Sequence, residues 1–128
     1  MSEPPSSTQS SEHRGPRPSR QEVSSAVTTV RQYLRAWVNE GPARASRYLV
    51  ADQRTTSDQG SPRLAAGKVL SYRLYRWEGP REFTLLVSMN LTFDGSRMAW
   101  NRGVNDRFVT ARWVNHQDVY LLEFATGP

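Results

Sequence analysis

"EFTLLVSMNLTF", residues 82–93, alternates with a period of two. Phe83, Leu85, Val87, Met89, Leu91 and Phe93 fall on one side. Thr84, Ser88, Asn90 and Thr92 fall on the other, with Leu86 as the exception. Successive side chains of a strand point to opposite faces, so this is a long strand with one buried face and one wet or pocket-facing one. Gly79-Pro80 turns the chain before it, and Asp94-Gly95 is a hairpin signal after it. Upstream, "KVLSYRLYRWE" (68–78) also alternates, with Leu70, Tyr72 and Leu74 on one side and Val69, Ser71, Tyr75 and Trp77 near the other. Downstream, "SRMAWNRGVND" (96–106) is less regular. Met98 and Trp100 there suit a short or bulged strand, with Gly103 letting the backbone bend. "RFVTARWV" (107–114) reads as a strand, Asn115 to Asp118 as a turn, and "VYLLEFA" (119–125) as the last strand.

N-terminal to these strands the period changes. Val23, Val27, Val30, Leu34 and Trp37 recur at spacings of four and three, one stripe of an amphipathic helix. Ser19 or Gln21-Glu22 begins it and Gly41-Pro42 ends it. Ser24, Thr28, Arg31 and Arg35 form its polar side. A second short helix is expected from Ala43 to about Ala51, with Ala45, Tyr48 and Leu49 inward. "DQRTTSDQGSPR" (52–63) is a loop. Helices grouped before strands argue for an α+β fold. The apolar face of a curved antiparallel sheet of four to five strands needs cover, and the N-terminal helices supply it.

Residues 1–22 hold four prolines, six serines and one large apolar side chain, Met1. Such a stretch buries too little apolar surface to offset the entropy of ordering. It is expected to be a disordered polar arm, leaving residues 23–128 as one folded domain. With no cysteine in the chain, disulfides and zinc–thiolate sites are excluded. Neither a signal-peptide h-region nor a membrane-length apolar run is present. The chain as written reads as cytoplasmic, or as exported or membrane-anchored if its start is truncated or misassigned. The net charge of +5 sits in the body, because the arm's three arginines and three glutamates cancel. Lys68 is the one lysine beside sixteen arginines. An arginine bias of this kind arises from base composition as readily as from an anionic partner.

The order helix, short helix, polar loop and long antiparallel strands resembles the nuclear transport factor 2-like superfamily. Its closing stretch, "GVNDRFVTARWVNHQDVYLLEFATGP" (103–128), looks like the last hairpin of small bacterial domains of this type, found in exported proteins and lipoproteins. The resemblance covers residues 23–128. It implies a cone-shaped α+β fold. It implies no single activity, because the superfamily holds isomerase-like and cyclase-like enzymes beside binding and assembly modules whose pocket does no chemistry.

Isomerase- or cyclase-like chemistry needs an acid or base in an apolar pocket that tunes its pKa. Asp52, Asp58, Asp94 and Asp118 fall in loops or turns, and Glu123 points outward by alternation with Tyr120, Leu122 and Phe124. That leaves Asp106, at a strand entrance, as the weak catalytic candidate. By the resemblance, Tyr33 would donate a hydrogen bond into the cone. The cone of such a fold would be lined by Tyr33, Trp37, Tyr48, Met89, Trp100 and Trp113, sized for a small hydrophobic ligand. His116 lies in a turn, and no two histidines approach metal-ligand spacing, so neither metal nor other cofactor is expected. "SYRLYRWEGPRE" (71–82) interleaves Arg73 and Arg76 with Tyr75 and Trp77. Cation–π packing on a sheet surface accounts for that pattern better than a nucleic-acid platform, and no RNA-binding motif accompanies it. The leading expectation is therefore a non-catalytic module acting through protein–protein contacts. It would homodimerise or dock to another protein through Tyr75, Trp77, Trp113 and the arginines beside them. Small-molecule binding in the cone comes second and nucleic-acid binding last.

Overall fold

The computed structural model describes residues 15–57, 63–94 and 103–126. Helix α1 spans Arg20–Glu40. Ser19 caps its start in a reciprocal box: the Glu22 backbone N–H donates to Ser19 Oγ at 3.0 Å, and the Ser19 N–H donates to Glu22 Oε1 at 2.7 Å. Such caps are worth about 1 kcal/mol because they satisfy donors the helix leaves unpaired. At the other end Gly41 adopts φ 94°, a conformation that disfavours any Cβ, and its N–H closes on the Trp37 carbonyl at 3.2 Å. The expected stripe is the buried face: Val27, Val30, Leu34 and Trp37 are buried, and Val23 is half-buried. The helix begins three residues before the expected edge of the folded body.

The polar arm also ends earlier than expected. Pro18 is buried, and the chain at Gly15 lies against the end of the first strand. A Cβ on Gly15 would sit 2.5 Å from the Glu78 carbonyl oxygen, so only glycine allows this approach. Residues 15–22 thus belong to the packed body.

The second helix is shorter than expected. It comprises α2, Pro42–Ala45, followed by single 3₁₀ turns at Ser46–Tyr48 and Ala51–Gln53. Ser46 Oγ donates to the Ala43 carbonyl and lies 3.0 Å from the Thr55 carbonyl, a local competition that stops helix growth. Leu49 is extended and bridges Leu122 in the last strand.

Among the described residues four strands follow: β1 (Arg63–Gly79), β2 (Glu82–Asp94), β3 (Gly103–Val114) and β4 (Val119–Thr126). They pair antiparallel in sequence order in one open sheet. The expected short strand around Met98 and Trp100 lies outside the described residues. β2 behaves as its alternation predicts, with all six odd-numbered side chains from Phe83 to Phe93 buried. β1 does not. Register slips between Leu64 and Ala66, Val69 and Ser71, Leu74 and Arg76, and Trp77 and Gly79 each add an unpaired residue and invert the phase. Val69, Tyr72, Leu74 and Trp77 therefore share the inner side with Val87, Leu85 and Phe83, while Leu70 sits at a bulge and is 48% exposed.

Bulges and twist curve the sheet around α1. The helix backbone comes closest to the edge strands β1 and β4 rather than to the central pair. The far end of the sheet is tied by Tyr120, whose hydroxyl donates to the Pro80 carbonyl at 2.9 Å, and by the Trp113 N–H, which donates to the Arg81 carbonyl at 2.8 Å.

Candidate functional site

The outer face of the sheet is built by register. Arg73, Leu86, Phe108 and Ala125 stand in one row across all four strands. Tyr75, in the bulge beside Leu74, places its ring 4.7 Å from that of Phe108. Tyr75 is 40% exposed, and Leu86 and Phe108 are half-buried, with no layer of secondary structure over them among the described residues. Polar rows flank this apolar one. On one side Thr84 Oγ1 and Thr110 Oγ1 are 2.8 Å apart, and Arg112 reaches both Glu123 at 2.7 Å and Glu82 at 3.9 Å. On the other, Ser88 donates to Asp106. The outer face thus has an apolar centre inside a rim of both charge signs.

The inner face is packed. Met89 is fully buried, and Trp37 and Tyr33 are 3% and 7% exposed. Trp37 lies 5.6 Å from Tyr33 and 5.7 Å from Phe93, ring centre to ring centre, and Tyr33 lies 5.3 Å from Phe124. These expected pocket-lining side chains fill the core. Trp113 is half-buried and edge-on to Tyr120 at 5.0 Å. Tyr48 is half-buried against the edge of the core, with the Arg47 guanidinium 4.8 Å above its ring and Arg47 paired with Glu40. Trp100 lies outside the described residues.

Asp106 and Tyr33 are not brought together. Asp106 pairs in register with Ser88 and points to the outer face, whereas Tyr33 is buried between α1 and the inner face. The sheet stands between them, so they form no acid–base pair. Sequence reading passed over the polar residue that does reach the interior. Asn105 is 1% exposed in the row of Val69 and Met89, and its Nδ2 donates to the Gly103 carbonyl at 3.3 Å. Its signal was its phase with Val109 and Ala111, legible once β3 is known to start at Gly103. Among the described residues no group of three His, Asp or Glu side chains could hold a metal, and no helix is long and apolar enough to cross a membrane.

The arginine–aromatic stretch divides. Arg76 stands 5.9 Å over Tyr75, a cation–π contact on the outer face. Trp77, expected at an interface, is instead half-buried on the inner side. Its Nε1–H donates to the Gly15 carbonyl at 3.1 Å, and Arg17 covers its ring at 5.1 Å. The physical reason is the run of bulges, which carries Trp77 out of phase with Tyr75.

Burial pushes the Tyr33 phenol well above its ordinary value, and its hydroxyl has no hydrogen-bond partner among the described residues. The unfolded chain loses this proton first, near the usual value of about 10. The folded state then holds more protons, so stability is complete below about pH 10 and falls above it. Tyr33→Phe removes an unsatisfied polar group. It is expected to fold at least as stably at neutral pH and to lose less stability on going to alkaline pH, as read from urea melts across that range.

Comparison of the chain with protein-family models, with curated proteins and with solved structures finds no match.

Proposed function

We propose that the protein is a non-catalytic binding and assembly module of the nuclear transport factor 2-like kind, and that it works by pairing the outer face of its sheet with that of a second copy. The observation that carries this reading is the apolar row Tyr75, Leu86, Phe108 and Ala125 within a rim of both charge signs. In a two-fold pairing each patch meets itself, so a rim holding Arg112 beside Glu82 and Glu123 can satisfy its own charges across the axis. Size supports it too. Four strands about 4.8 Å apart and as long as β2, at ~3.3 Å per residue, present roughly 800 Å², about what each partner buries in a standard interface. A curved sheet closing on one long helix suits the cone of that superfamily, and the filled interior favours a module without chemistry over an enzyme or carrier.

Sedimentation equilibrium over a wide concentration range tests it. The wild-type chain is expected to dimerise. Phe108→Asp puts a charge at the centre of the face and is expected to weaken the dimer by about a hundredfold or more, the effect of losing a central hot spot. Persistent monomer in the wild type, or an undiminished dimer in the variant, would sink the reading.

A further inference from the structure

The two edges of the sheet are treated differently. Along β4 the edge is occupied. The Val50 N–H donates to the Leu122 carbonyl at 2.8 Å, and the Gln53 side chain imitates a strand by accepting from the Phe124 N–H at 2.7 Å and donating to the Phe124 carbonyl at 2.8 Å. Along β1 the segment from Gly15 covers only the far end, near Trp77 and Gly79. Between the bulges, the regular run Ala66–Val69 pairs with β2 on one side and with no strand on the other among the described residues.

Beside this open edge lies a groove of about 540 Å³ between β1 and α1. Its apolar wall includes Leu34, Val38 and Val69, and its rim carries Arg31, Arg35 and Lys68. None of these three cations has a carboxylate partner among the described residues. Ion pairs form instead at Glu40 and at Arg112, away from the groove.

We infer that the β1–α1 groove takes an extended acidic peptide, which adds a short strand to the Ala66–Val69 edge and places its carboxylates on Arg31, Arg35 and Lys68. Strand addition draws affinity from the main chain and specificity from the side chains that flank it. Charge complementarity selects the occupant. A second copy is disfavoured, because pairing β1 with β1 would set these cations against their own kind, a known guard against edge-to-edge association. A single-stranded nucleic acid would need stacking rings, and the groove wall is aliphatic. The inference stands apart from the outer-face dimer, since the groove and the apolar row lie on different surfaces of β1.

The test is fluorescence anisotropy of a labelled octapeptide of alternating glutamate and valine, titrated with the full chain. Saturable binding is expected, weakening as salt screens the pairs. The double variant Arg31→Glu/Arg35→Glu changes only exposed helix positions, and circular dichroism checks that it folds. It is expected to lower affinity at least about tenfold, as losing charge-assisted hydrogen bonds does. Methylating the peptide's alternate backbone nitrogens in one phase is expected to abolish binding, while the other phase leaves it intact, because a strand pairs through every second N–H. Phe108→Asp is expected to bind as the wild type does, so failure here is distinguishable from failure of the dimer. Absence of saturable binding, indifference to the charge reversal or to both methylation phases, or equal displacement by a short single-stranded DNA would each overturn the inference.

Discussion

Leu85→Asp is expected to leave the chain unfolded in native buffer, while Leu86→Asp folds. The two residues are neighbours of one type on one strand, and only the face differs. Leu85 has no exposed surface and sits in register between Leu74 and Val109. A carboxylate there has no cation beside it in the row. Burying it unpaired costs several kcal/mol and forfeits the leucine's packing as well, against a total stability of about 5–15 kcal/mol for a domain. Leu86 lies between Arg73 and Phe108 on the outer face. Aspartate there meets water and a nearby guanidinium, so the cost in stability is only about 1 kcal/mol. It also lies in the proposed dimer patch, so the folded variant is expected to sediment as monomer. Far-ultraviolet circular dichroism and one sedimentation run decide both. Equal stability of the two variants would mean that the face assignment of β2 is wrong.

Trp37→Ala carries the second large effect. The indole is 3% exposed and joins Tyr33 on its own helix to Phe93 on β2. Truncation removes most of a large buried side chain and leaves a cavity that stiff aromatic neighbours cannot close, a loss of about 3–5 kcal/mol. In a domain of this size that lowers the Tm by well over about 10 °C. Calorimetry reads the shift. A drop of only a degree or two would show that Trp37 lines an open space, and the interior would again be a candidate ligand pocket.

Some elements were legible from local pattern because one local rule decided them. The helix stripe from Val23 to Trp37, its stop at Gly41-Pro42, the inner face of β2 and the turn at Asn115–Asp118 each depend on residues within a few positions of one another. The candidate site was less legible. Tyr75 is exposed beside the bulge, and Glu123 turns outward, where it meets Arg112. Trp77 was expected at an interface and Asp106 as a weak catalytic candidate at a strand entrance, while Asn105 carried no expectation; their faces depend on where bulges fall and where β3 begins, and neither leaves a mark in the alternation.

The sequence by itself determined the α+β class, the one long amphipathic helix and the strand whose six odd positions form the core, since period and turn chemistry act over short distances. Tertiary structure alone decided which side of β1 faces inward, that Gly15–Pro18 packs onto the body, and that one sheet edge is closed by Val50 and Gln53 while, among the described residues, the other has no strand beside it and a rim of cations without carboxylate partners. Those outcomes rest on pairing register and on contacts between residues far apart in the chain. A single added residue in β1 reverses every side chain beyond it, and no local pattern records which partner the backbone will find.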